Sequence, residues 1–285
     1  MMAAGRRAGE GGGVYKMDVE VISEDKKSGR LVFYLSNANP ALANTIRRSI
    51  VEEVPVLAIE DIEFRNNSSV LYDEIIAHRL GLIPLTTDLG SYELPSECKC
   101  NGAGCAQCQL KLTLKEKGPC LVLASDIKSK DPKVKPVYPD MPIVKLLKGQ
   151  KLEFEATAVL GQGKDHAKWS PGHVYYKHKP KVVVSSKDCE GCGSCVKSCP
   201  KNLLSVEGST ARIDKERLME CTLCEACTAA CKKNALKIEP DEGCFIFYIE
   251  SWGQLSCREM ASTSCDRIIK LLSEFDSQLK KSGGV

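Results

Sequence analysis

Cys189, Cys192, Cys195 and Cys199 follow the spacing CxxCxxCxxxC, and Cys221, Cys224, Cys227 and Cys231 repeat it 32 residues further on. The repeat extends past the thiols, because Lys201, Asn202, Leu204 and Val206 are answered by Lys233, Asn234, Leu236 and Ile238. This reads as an internal duplication, each half supplying a cysteine turn, a short helix and a strand. Three thiolates at such intervals wrap three corners of an iron–sulfur cube, while the fourth points away and, in two-cluster ferredoxins, serves the other cube. The spacing therefore predicts one [4Fe–4S] cluster on Cys189, Cys192, Cys195 and Cys231, and a second on Cys221, Cys224, Cys227 and Cys199. Gly191 and Gly193 would let backbone amides approach the sulfurs. One departure from the repeat is Lys232, which stands where the first half has Pro200. The competing readings are disulfides, which the expected compartment disfavours, and zinc sites, which lack the doubled CxxCxxC habit.

A second cluster, Cys98, Cys100, Cys105 and Cys108, has the spacing CxCxxxxCxxC around Gly102 and Gly104. Four thiolates on one loop can close a tetrahedral Zn²⁺ site, and without metal such a loop has little to hold it. The alternative is a flexible loop that binds nothing. Cys120, Cys244, Cys257 and Cys265 remain, and these read as small buried apolar residues.

Sixteen cysteines in 285 residues would suit a secreted disulfide framework, yet no apolar core follows Arg6 and Arg7 as an export signal requires. The thiols are therefore expected to be reduced and the protein cytoplasmic. No stretch approaches the roughly 18 apolar residues of a membrane span. A net charge of +3 is too mild to imply nucleic-acid binding.

These sites need elements to hold them. Residues 1–14 are rich in glycine and read as a disordered tail, with order expected to begin near Tyr15 to Met17. Met17 opens the first strand, so either Met1 or Met17 can serve as the start. Met17, Val19 and Val21, then Leu31, Phe33 and Leu35, alternate as a hairpin. A helix follows, with Asn39 as cap, Pro40 in its first turn, and Leu42, Ile46 and Ile50 on one face; Pro55 stops it. Val56 to Phe64 reads as a strand and Val70 to Leu80 as a second helix ended by Gly81. Leu110, Leu112 and Leu114 alternate as a strand, Lys128 to Pro142 reads as an exposed connection, and Leu152 to Leu160 as another strand. Gly161 to Lys181 holds His166, His173 and His178 among lysines, which could form a phosphate-binding patch; the histidine spacing is too irregular for a metal, and a solvated loop is the expected alternative. His78 reads as a packed, hydrogen-bonded histidine. Phe245, Phe247 and Ile249 form a strand. The last helix carries Ala261, Cys265, Ile268, Leu272, Phe275 and Leu279 in a narrow apolar seam, which suits either the chain's own sheet or a partner helix.

Asn39 to Arg48 (NPALANTIRR) after a hairpin, His78 to Leu85 (HRLGLIPL), and the CxC/CxxC loop together resemble the alpha-like assembly subunits of multisubunit RNA polymerases. With the ferredoxin-like block added, the chain is similar to the archaeal, D-type members of that family, over about Tyr15 to Leu279. The resemblance implies an α+β fold. A discontinuous dimerisation domain (15–54 and 243–279) would enclose an inserted β-rich domain (55–180, with the loop 98–108) and a nested ferredoxin-like domain (181–242), with 280–285 a tail. It implies that the first and last helices lie together. It also implies pairing with the smaller alpha-like (L-type) subunit, and recruitment of the small zinc-binding (N- and P-type) subunits and the second-largest (B-type) subunit. For Gly161 to Lys181 the resemblance implies, instead of a solvated loop, contact with the catalytic subunits. Asn44, Arg47 and Arg48 would then serve an interface beside Ile268, Leu272, Phe275 and Leu279, whereas the charges alone equally suit a solvated helix face.

Two functions are thus in view. One is a non-catalytic assembly subunit of a DNA-directed RNA polymerase, its clusters structural and open to a redox-sensing role. The alternative is an electron-transfer subunit of an oxidoreductase complex. Neither a GxGxxG nucleotide loop nor a Mg²⁺-binding carboxylate triplet is evident, which favours the first and gives the chain no polymerising chemistry of its own.

Overall fold

The computed structural model describes residues 17–282. The expected tail at residues 1–14, the expected start of order at residues 15 and 16, and residues 283–285 lie outside the described residues. In chain order the elements are β1 (Asp18–Asp25), β2 (Arg30–Ser36), α1 (Pro40–Glu52), β3 (Val56–Asn67), α2 (Asp73–Gly81), β4 (Gln109–Lys117), β5 (Cys120–Leu123), β6 (Lys128–Ser129), β7 (Pro142–Leu146), β8 (Lys151–Gly161) and β9 (Gly172–Val184). There follow α3 (Ser194–Ser198), β10 (Leu204–Glu207), β11 (Thr210–Ile213), α4 (Ala226–Ala229), β12 (Leu236–Ser251) and α5 (Cys257–Lys281). One four-stranded sheet has the order β1-β2-β12-β9, another β3-β8-β4-β6, and the pairs β5-β7 and β10-β11 stand as hairpin-like ribbons. This is the expected α+β class.

Two compact units group these residues. One contains Tyr34–Pro40 and Lys177–Ile246, the other Val21–Phe33, Ala41–Tyr176 and the chain from Phe247 onward. In the larger unit, β8 pairs antiparallel with both β3 and β4, setting Phe154 opposite Leu114 and Ala156 opposite Leu112. The inward residues Leu112, Leu114, Phe154, Leu57 and Ile59 bury against Ile76 and Leu80 of α2. That is the period-2 pattern meeting a helix face. In the smaller unit, Leu203, Leu204, Ala211, Leu236 and Ile238 form a core shared with Cys195, Cys221 and Cys227.

Several local expectations shift. The buried face of α1 is Ala43, Ser49 and Ile50, and Leu42 is exposed. Small residues turn inward because α5 crosses closely there: the Ser49 hydroxyl donates to the Ser264 carbonyl at 3.0 Å. Helix α2 begins at Asp73 rather than Val70, because the Asn67 side chain holds the preceding turn, accepting from the Ser69 amide (3.0 Å) and donating to the Leu71 carbonyl (2.9 Å). It ends without a left-handed glycine; the Leu82 amide instead bonds the Arg79 carbonyl at 3.3 Å, a 3₁₀ closure.

The connection Lys128 to Pro142 is partly anchored, since β6 adds to β4 and Val134 is fully buried. Gly161 to Lys181 is no solvated loop. A Cβ on Gly161 would lie 2.3 Å from the Trp169 ring, and one on Gly163 2.1 Å from the Val51 carbonyl, so the segment packs tightly before running into β9. Helix α5 continues through Lys280 and Lys281, into the stretch expected to be a tail. Among the described residues, no helix is long and apolar enough to cross a membrane.

Candidate metal centres and an exposed helix seam

Each half of the cysteine repeat uses the same backbone. Gly191, Gly193 and Asn202 have positive φ, and so do Leu223, Glu225 and Asn234, each 32 residues later. Glycine adopts this conformation without cost, whereas Leu223 and Glu225 hold it against steric preference, so the turn geometry is imposed by the site rather than by residue type. The turns deliver the thiols in two groups. Cys189, Cys192, Cys195 and Cys231 line one cavity, walled by Val206, Ala211 and Leu236. Cys199, Cys221, Cys224 and Cys227 line another, walled by Leu204, Ile213 and Ile238. In each group three cysteines come from one repeat and the fourth from the other. Amide N–H groups aim at the sulfurs: Ala211 at Cys189 (3.3 Å) and Leu203 at Cys199 (3.5 Å). The Ser194 amide is the main cause of a lowered Cys192 pKa. Four thiols, apolar walls and amide donors suit an iron–sulfur cube, whose sulfurs want hydrogen bonds and whose net charge is eased by them.

Cys98, Cys100, Cys105 and Cys108 converge, their sulfurs all within 4.8 Å of one another. The Cys98–Cys105, Cys98–Cys100 and Cys100–Cys108 separations are 3.5 Å, and Cys105–Cys108 is 3.9 Å. Zinc–sulfur bonds of about 2.3 Å in a tetrahedron put sulfurs about 3.8 Å apart, so the cage fits the ion. Gly104 makes the loop possible: its φ is +91°, and a Cβ there would fall 2.8 Å from the Gln109 Oε1. Gln109 Nε2 donates to the Gly104 carbonyl at 2.7 Å and so locks the turn.

The loop's charge balance points the same way. Cys100 is held at about 5, first by the Cys105 amide and then by the Cys98 thiol. The Cys100 amide favours a thiolate at Cys98, but burial and the neighbouring sulfurs outweigh it and push that thiol up to about 12. Burial, then Cys100, raises Cys108. Cys98 and Cys108 thus resist ionisation beside the Cys100 thiolate, and a divalent cation would relieve that repulsion. In metal-free protein at pH 7, Cys100 should therefore be alkylated by iodoacetamide well before Cys98 and Cys108, as read by peptide mass spectrometry. Its depressed pKa keeps the thiolate above about pH 5 and loses it as pH falls through that value. Equal labelling of Cys98, Cys100 and Cys108 would refute this charge distribution.

The α5 seam divides. The inner face that packs is Cys257, Met260 and Ser264, one residue out of step with the expected stripe. Of the expected interface residues, Ile268 is half-buried, while Leu272 (62%), Phe275 (59%) and Leu279 (45%) are exposed, and Ile269 stands beside them. The start of α5 is secured by a capping box, Ser256 with Glu259, a signal that the spacing of these two residues carries but hydropathy does not reveal. On α1, Asn44 is exposed and accepts from Arg47 Nε at 3.0 Å, and Arg48 pairs with Glu52 at 2.9 Å.

The remaining candidates scatter. His78 is exposed rather than packed. His166 caps a short turn, His178 contacts the Asp241 carbonyl, and His173 is exposed, so the three do not converge. Lys164 pairs with Glu53 and Lys168 with Glu60, while Lys177 donates to the Met219 and Cys221 carbonyls. Cys244 and Cys257 are buried as expected, Cys120 only partly, and Cys265 is exposed.

Residues 60–173 match the family described as the RNA polymerase Rpb3/RpoA insert domain, and residues 188–236 match the 4Fe-4S dicluster domain. The chain is 42% identical over 254 residues to a Methanosarcina acetivorans protein named DNA-directed RNA polymerase subunit Rpo3, covering 88% of this chain and 94% of that one. The Pyrococcus furiosus protein of the same name is 36% identical over 263 residues, covering 92% and 98%. That from Methanothermobacter thermautotrophicus is 40% identical over 253 residues, covering 87% and 94%.

Proposed function

Since the chain belongs to the archaeal Rpo3 family of DNA-directed RNA polymerase subunits, we propose that it is the alpha-like assembly subunit of that complex, contributing no catalytic residue. It pairs through α1 and the outer half of α5 with the smaller alpha-like (L-type) subunit. The resulting platform takes up the small zinc-binding (N- and P-type) subunits and the second-largest (B-type) subunit, in the cytoplasm. The observation that carries this reading is the α5 seam: the helix buries one face within its own unit and leaves Leu272, Phe275 and Leu279 unburied on another. A row of large apolar side chains in water is costly unless a partner covers it.

Two [4Fe–4S] clusters are assigned, one to Cys189, Cys192, Cys195 and Cys231, the other to Cys199, Cys221, Cys224 and Cys227, with one Zn²⁺ on Cys98, Cys100, Cys105 and Cys108. Their contribution is structural. A block of roughly sixty residues has too little apolar surface for a secure core, and bound cubes complete it. Sensing of oxidation would follow from cluster loss, since the fold depends on occupancy. The electron-transfer alternative is not favoured, because the relatives share nearly the whole length and carry the polymerase name.

Anaerobic coexpression with the smaller alpha-like polypeptide tests the reading. A stable heterodimer is expected on size exclusion, with further polymerase subunits copurifying from a native host. A chain that stays monomeric beside that partner would contradict it.

A further inference from the structure

We propose that Glu97 is a clasp between the Cys98–Cys108 loop and α5, through which metal capture by the loop controls the order of the exposed half of that helix. Glu97 and Cys98 belong to one turn, for both their amides donate to the Leu94 carbonyl at 2.9 Å. Cys98 is buried, so this turn is held wherever the thiol cage is held. From the same turn the Glu97 carboxylate reaches α5 with both oxygens: Oε1 accepts from Arg267 Nη1 at 2.8 Å, and Oε2 meets Lys270 Nζ at 2.6 Å. Residues three apart on a helix share a face, so the two cations form one receptor for the carboxylate.

The position of the clasp gives it leverage. The Arg267 side chain is only 13% exposed and its Nε is buried without an acceptor among the described residues, leaving the bond to Glu97 to compensate a desolvated guanidinium. Immediately beyond, residues 271–281 are exposed throughout. A helix end without packing stays ordered only as far as the turn behind it is held. With metal, the four thiols are drawn together and the Leu94–Cys98 turn stays closed. Without it, a loop whose residues 101, 102 and 104 sit at positive φ opens, and Glu97 leaves with it.

What this would mean for assembly rests on the reading of α5 above, but the clasp is testable in the full chain alone. Hydrogen exchange is followed by mass spectrometry over peptides covering residues 266–276, with zinc content and iron–sulfur absorbance recorded. In an otherwise wild-type chain, Cys105→Ser should abolish zinc, keep the iron–sulfur absorbance, and speed exchange in those peptides about three- to fivefold, the scale of a partly exposed ion pair. Glu97→Gln should speed exchange by the same factor with zinc retained, and adding Cys105→Ser to it should change little more. The charge-swapped triple variant Glu97→Lys, Arg267→Glu, Lys270→Glu should restore protection and its dependence on metal. The proposal is overturned if Glu97→Gln leaves α5 exchange unchanged, or if Cys105→Ser acts equally with and without Glu97. If the clasp holds while heterodimerisation with the smaller alpha-like polypeptide fails, the assembly reading alone is lost.

Discussion

Replacing Cys189 and Cys231 together by serine is expected to leave one cluster intact, whereas replacing Cys189 and Cys199 together removes both. The two double variants delete the same number of thiols, so their difference reports connectivity alone. If each cluster drew all four ligands from one repeat, the outcomes would be reversed. The cavities argue for the exchanged arrangement, since Cys231 stands with Cys189, Cys192 and Cys195, and Cys199 with Cys221, Cys224 and Cys227. In anaerobically prepared protein, iron should fall from about eight per chain to about four in the first variant and to nearly none in the second. The second should also lose the fold of its unit, because Cys195, Cys221 and Cys227 sit within the same small core as Leu204 and Ile238. Proteolysis would then cut within 185–235 while the β3-β8-β4 sheet resists. Four irons remaining in the Cys189/Cys199 variant would refute the exchanged ligand sets.

The second large effect concerns assembly. On the α5 contact proposed above, Phe275→Asp combined with Leu272→Asp should weaken the heterodimer at least a hundredfold, because two carboxylates would have to be desolvated where that contact covers two large apolar side chains; hot-spot residues near the centre of an interface cost about 2 kcal/mol or more. The chain by itself should unfold at an unchanged denaturant concentration, since both residues are already mostly in water. Val70→Asp, at another exposed apolar residue, serves as the control and should leave affinity unaltered. Heterodimer affinity by titration calorimetry or gel filtration decides the matter, and full retention of binding in the double variant would refute the seam as the contact.

How much of this is legible in the amino-acid order depends on the range of the interactions involved. The cysteine turns are legible because ligand geometry is local: three thiols at such close spacing can face one point whatever surrounds them, and the recurrence of positive φ at 32 residues bears out the duplication. The strands around Leu112 and Phe154 are legible because one covered face imposes alternation. Helix faces are less so. Hydropathy singles out Leu42, Ile46 and Ile50 on α1 and the stripe ending at Leu279 on α5; of the first three only Ile50 is buried, and the packed faces otherwise use Ala43, Ser49, Ser264 and Met260, mostly small residues suited to close approach. On α5 the apolar stripe that periodicity finds is thus largely the face left outside.

By itself, then, the amino-acid order determined which cysteines form the repeated turns, where strands alternate, and that a large apolar seam exists, since each follows from spacing along a few turns of chain. Only the tertiary structure decided which side of α5 is spent on the chain's own packing. It alone revealed that Gly161 and Gly163 lie under Trp169 and Val51, and that Glu97 meets Arg267, 170 residues away. Those outcomes depend on which surfaces meet once the core closes, and no periodicity in either segment encodes its partner.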